Sequence, residues 1–175
     1  GGDVSKGLVG LLSLILMVVP LISLIFGTIH FYNSYEFIEL LAAQPLKRRT
    51  ILLAEFLGVS CALGAALLSG VGIPVALYAA TATGAALMGV GIALTLIFIA
   101  LAFLGAVATR DKARGIGVAM LLWFYFALLH GGLMLLVMFS FSDYPLEKAT
   151  IGMISLNPID LGRVVVLLQM DVSAP

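Results

Sequence analysis

The sequence is short of charge. Only 10% of its 175 residues are Asp, Glu, Lys or Arg, against roughly 25% in an average soluble domain. None of them falls in residues 7–35, 56–109 or 115–142, windows of 29, 54 and 28 residues, whereas one membrane-spanning helix needs only about 20. A water-soluble fold would need polar faces to cover so much apolar surface, and the chain has none to offer. Polar alternation is missing as well. A transmembrane β-barrel needs segments of about ten residues in which apolar and polar side chains alternate, and stretches such as Leu8–Ile29 and Ile92–Val107 show no such period. A net charge of zero excludes a basic nucleic-acid footprint and an acidic tail. Cysteine is nearly absent: Cys61 stands alone inside an apolar run and has no internal partner for a disulfide. Catalytic signatures are absent too. There is no G-x-x-x-x-G-K-[ST] loop, so the chain does not hydrolyse ATP in the P-loop manner, and no H-E-x-x-H, C-x-x-C or G-x-S-x-G.

What is present is a set of apolar spans. They are predicted at about Leu8–Phe31, Ile51–Tyr78, Ala85–Ala108 and Ile116–Phe141. The longest uncharged window has to be divided, because a single helix of that length would measure about 80 Å. Its least apolar part, Ala79–Gly84, is the natural turn. Pro20 and Pro74 fall inside spans, where neighbouring helices can satisfy the carbonyls they free. The expected fold class is an all-α integral membrane protein: a polytopic helix bundle forming one transmembrane domain over residues 1–175. Lys47, Arg48 and Arg49 between the first two spans, and Arg110, Lys112 and Arg114 between the last two, are six of the nine basic residues. By the positive-inside rule these connections are cytoplasmic. The first span then starts outside, which asks for a further span before residue 1, and residues 142–175 form an external tail of short helices. Gly58, Ala62, Ala66 and Gly70, and likewise Ala85, Gly89 and Ala93, make small-residue ladders that predict close helix packing.

The cytoplasmic stretch over residues 34–44 carries a short amphipathic helix. Asn33 and Glu36 have the spacing of a capping box. Phe37, Leu40 and Leu41 share one face, while Glu36 and Glu39 keep the rest polar. Pro45 closes this helix, and Thr50 is placed to cap the next span. Such a helix is either an ordinary interfacial connector or a docking surface for a cytoplasmic partner. Few ionisable residues lie at membrane depth: His30 and Glu55 near the inner interface, and His130 deeper. His130 shares a face with Met134 and Met138, a set of imidazole and thioether groups of the kind Cu(I) accepts. Met is also a common apolar filler, and a neutral His can bond a carbonyl on a neighbouring helix; no metal site is assigned. Asp160 and Arg163, after an Asn157 cap, have the spacing of a local ion pair.

The order span, acidic amphipathic helix, Leu-Leu-Ala-Ala-Gln-Pro-Leu-Lys-Arg-Arg, span resembles the ABC-2 type exporter permeases, and the resemblance extends over most of the chain through the charged loop at Arg110–Arg114. It implies that these are spans two to five of six in a bacterial cytoplasmic membrane. It also implies that residues 34–44 are the coupling helix seated in a separate ATPase subunit, with Glu36, Phe37, Glu39, Leu40 and Leu41 in contact with that partner. The chain then needs no cofactor of its own, ATP being bound by the partner, and the pathway forms in a homodimer or heterodimer of permeases. Glu36–Pro45 and Leu156–Asp160 are similar, more narrowly, to the membrane subunit of the transporter that matures nitrous oxide reductase, which implies a part in copper-centre assembly. Glu55 departs from the family, which often has Lys near that place. A membrane scaffold or assembly factor that recruits a different cytoplasmic partner is the alternative.

Overall fold

The computed structural model describes residues 2–44, 47–109, 111–141 and 147–172, and these form helices joined by short turns. The helices are α1 (Gly2–Asn33), α2 (Tyr35–Ala42), α3 (Arg48–Tyr78), α4 (Ala82–Ala108), α5 (Lys112–Ser140), α6 (Glu147–Leu156) and α7 (Pro158–Val172). Four of them are long and apolar enough to cross a membrane, over stretches of 28, 31, 27 and 29 residues in α1, α3, α4 and α5. At 1.5 Å per residue they reach roughly 40–47 Å, so they cross a hydrocarbon core of about 30 Å with tilt. The chain is an all-α polytopic membrane bundle. Helices are the only open-ended solution in lipid, because every backbone group must find its partner within the segment. Local caps set their starts: Thr81 Oγ1 accepts the Gly84 N–H at 3.2 Å, and Asp111 Oδ1 accepts the Ala113 N–H at 2.7 Å. Two expected caps are not used. Asn33 ends α1 instead of capping α2, and α3 starts at Arg48, which puts Thr50 inside its first turn. The expected helix stop Pro45 and the loop residue Arg110 lie outside the described residues.

The centre of the bundle is the pair α1 and α4, whose Leu24, Leu87, Leu94 and Phe98 are fully buried. The two helices approach closely at Gly27, where an added Cβ would stand 2.9 Å from the Cβ of Ala102. The small-residue ladders do not supply the close packing. Gly58, Gly70 and Gly89 have nothing within 4 Å of an added Cβ, and Ala62, Ala66, Ala85 and Ala93 are exposed. The physical reason is spacing between helices, since Ala66 and Ala85 border cavities between spans rather than direct helix contacts. A small-xxx-small pattern acts only where a helix lies against it.

Both outer spans are interrupted by one π-helical turn, Leu68–Gly72 in α3 and Tyr125–Leu129 in α5. The turn in α3 sits just before Pro74, whose ring cannot continue the regular bonding. In α1 the turn that precedes Pro20 is met from α5, where Trp123 Nε1 donates to the Met17 carbonyl at 3.0 Å.

The chain after α5 folds back onto the bundle. α6 and α7 bend by 113° about Asn157, and this bend reaches the middle of the bundle. Asn157 Nδ2 donates to the carbonyl of Phe126, midway along α5, at 2.9 Å. Gly162 lies against Val90 and Leu94 of α4 and Leu16 of α1, and an added Cβ would stand 2.7 Å from Val90 Cγ1. Ile159 and Val166 of α7 are buried in the same core. Hydrophobic fit on one side and a polar clasp on the other hold the hairpin at mid-span.

Candidate functional site

The candidate site is α2 and its root. Ile38 and Leu41 are partly buried, with Ile38 packed on an aromatic core of Phe31, Phe56 and Phe103. Ser34, Ile38 and Leu41 follow the helical i, i+4, i+7 spacing and face the bundle. The outward face carries Glu36, Phe37, Glu39 and Leu40, with Phe37 55% and Leu40 68% exposed. The apolar face read from the sequence is therefore split, since Leu41 turns inward while Phe37 and Leu40 stay free. Large apolar side chains that stay exposed between acidic neighbours are what a protein-binding helix presents.

The root of α2 is the last turn of α1. His30 Nε2 donates to Glu55 Oε2 of α3 at 2.6 Å. The Tyr32 hydroxyl lies 2.7 Å from the carbonyl of Thr109 and 3.2 Å from that of Ala106, groups left without intrahelical partners at the end of α4. Asn33 Oδ1 accepts from Lys112 Nζ of α5 at 2.8 Å. Gly115 lets α5 approach, because an added Cβ would stand 2.5 Å from the Tyr32 ring. Sequence reasoning placed His30 and Glu55 each as a lone interfacial residue. The signal that joins them is their position, each near the inner end of one of two antiparallel spans joined by a short connection.

The other polar cluster lies where the α6–α7 bend meets α5. His130 is buried and its Nε2 bonds the Met153 carbonyl at 3.0 Å, with Asp160 Oδ2 3.9 Å away. Asn157 bonds Asp160 Oδ2 at 2.8 Å and caps α7 by accepting the Ile159 N–H at 3.0 Å. Arg163 Nη1 is 3.9 Å from Asp160 Oδ1, a loose pair. Met134 and Met138 line a cavity of about 350 Å³ together with Asp160 and Arg163. His130 is not part of that lining; its Nε2 is engaged by the Met153 carbonyl instead. Among the described residues no three His, Cys, Asp or Glu side chains are placed to hold a metal ion.

No family model matches the chain. It is similar to the probable ABC transporter permease protein NosY of Pseudomonas aeruginosa, with 30% identity over 177 residues. That similarity covers 94% of this chain, so it takes in the bundle as a whole, and 64% of that protein. The chain thus spans a little under two thirds of the relative's length.

Proposed function

We propose that the chain is the membrane-spanning part of a permease subunit of an ABC transporter of the ABC-2 exporter type, driven by a separate ATPase. The observation that carries this reading is α2, an amphipathic helix tied at its root to the spans while Phe37 and Leu40 stand free. The likeness to a probable ABC permease supports it. On this reading α2 and the basic connections lie in the cytoplasm, and the protein sits in the bacterial inner membrane. Glu36 and Glu39 face basic groups of the ATPase, Phe37 and Leu40 enter an apolar recess, and Leu41 fixes the helix from behind. ATP binds to the partner, and two permease copies enclose the pathway. The narrower resemblance to the maturation transporter of nitrous oxide reductase supports a part for the exported substrate in copper-centre assembly.

The test is co-purification of the neighbouring ATPase with the intact membrane protein and with a Phe37→Asp/Leu40→Asp variant. Both side chains are exposed, so the fold is retained, and the variant is expected to lose at least about tenfold in affinity. Equal recovery would overturn the coupling role, and capture of a partner without ATPase activity would favour a scaffold. Deletion of the gene is expected to leave nitrous oxide reductase synthesised but without its copper centre. Intact enzyme in the deletion strain would remove that assignment.

A further inference from the structure

The last turn of α1 reaches three different spans through nearly consecutive residues. At about 100° per residue, His30, Phe31, Tyr32 and Asn33 sweep most of a circle. They meet Glu55 on α3, Phe103 on α4, Thr109 at the end of α4, and Lys112 on α5 respectively. The joint to α2 is one residue long. Ser34 N–H bonds the His30 carbonyl at 2.9 Å as the last bond of α1, and the Ser34 carbonyl accepts the Ile38 N–H at 2.8 Å as the first of α2. Residues 28–44 contain neither Gly nor Pro. A push on α2 therefore reaches the last turn of α1, and its side-chain contacts, across a single residue.

We propose that His30, Tyr32 and Asn33 are positioning residues that pass the displacement of α2 separately to α3, α4 and α5. This rests on the coupling reading above. Each hydrogen bond addresses one span, so removing one weakens the polar link to that span alone. Tyr32 has the strongest hold, because its hydroxyl occupies the carbonyl end of α4 and its ring is backed by Gly115. Asn33 has the weakest, because its bond to Lys112 is exposed.

The experiment uses the natural full-length chain with its ATPase in lipid nanodiscs, in a Cys61→Ser background. Single cysteines at Tyr78→Cys, Ala82→Cys or Ser140→Cys, at the far ends of α3, α4 and α5, carry an environment-sensitive fluorophore read with and without ATP. His30→Ala is expected to reduce the ATP response at position 78, Tyr32→Phe at 82 and Asn33→Leu at 140, each by about fivefold. The other two positions should keep their response, ATPase affinity should stay within about twofold of the parent, and His30→Gln, which retains a donor to Glu55, should restore the response at 78. Unchanged responses with the ATPase bound would overturn the proposal, as would an equal loss at all three positions, which a general structural defect would give. A parent protein that binds the ATPase but shows no ATP response overturns it as well. Failure of the parent to bind the ATPase overturns the coupling reading, and this inference with it.

Discussion

The two halves of the bundle are built differently. In the half next to α2 the spans are regular α-helix, and polar side chains cross from α1 to α3, α4 and α5 above an aromatic core. In the other half α3 and α5 each contain a π turn, and a hairpin bent at Asn157 is wedged between α4 and α5. One half is stiff and closely tied; the other holds its irregular backbone together with a few buried polar groups. The difference teaches where a membrane bundle can deform. Helix breaks are tolerated only where other groups satisfy the freed backbone, and here Asn157 does so for Phe126. Motion entering at the tied half would be accommodated in the broken half.

That contrast can be broken from either side. The largest effect is expected from Asn157→Leu, which removes the donor to the Phe126 carbonyl, the partner of Asp160 and the cap of α7. A loss of about 3 kcal/mol follows, and hydrogen–deuterium exchange should rise in α6, α7 and the π turn of α5 while α2 and its root stay protected. Exchange that rises equally in both halves would show that they are not separate. Gly115→Val should act on the opposite half. Its side chain displaces the Tyr32 ring, with an expected cost of about 2 kcal/mol, and increased exchange should appear at the end of α4 and the start of α5. The smallest effect is expected from Met134→Leu/Met138→Leu, a change of less than about 1 kcal/mol in thermal unfolding, because the two methionines line a cavity. A larger loss would give them a role beyond filling space.

The fold class was readable because lipid leaves few alternatives: uncharged windows of such length have to be helices. The presence of two further helices after the fourth span was readable as well. Their packing against the bundle was not, because it depends on Gly162 fitting against Val90 and on Asn157 reaching a carbonyl 31 residues away. At α2 the amphipathic pattern identified the helix, yet its exact rotation depended on which side chain met the aromatic core, and Ile38 took that place. The pair His30 and Glu55 was hidden by a separation of 25 residues. The small-residue ladders erred in the other direction. Their spacing was real, but spacing does not say which face a neighbour will occupy, and the close approaches formed at Gly27, Gly91 and Gly162 instead.

The one-residue joint between α1 and α2 also sets a mechanical ratio. The 8 residues of α2 make an arm of roughly 12 Å, and a span is more than three times as long. A shift of about 1 Å at the tip of such an arm turns the rigid body by roughly 5°, and the same rotation carries the far end of a span by roughly 3 Å. A short arm on a long span therefore acts as a crank with gain, turning a displacement the size of a side-chain adjustment into one of a few ångströms at the far end.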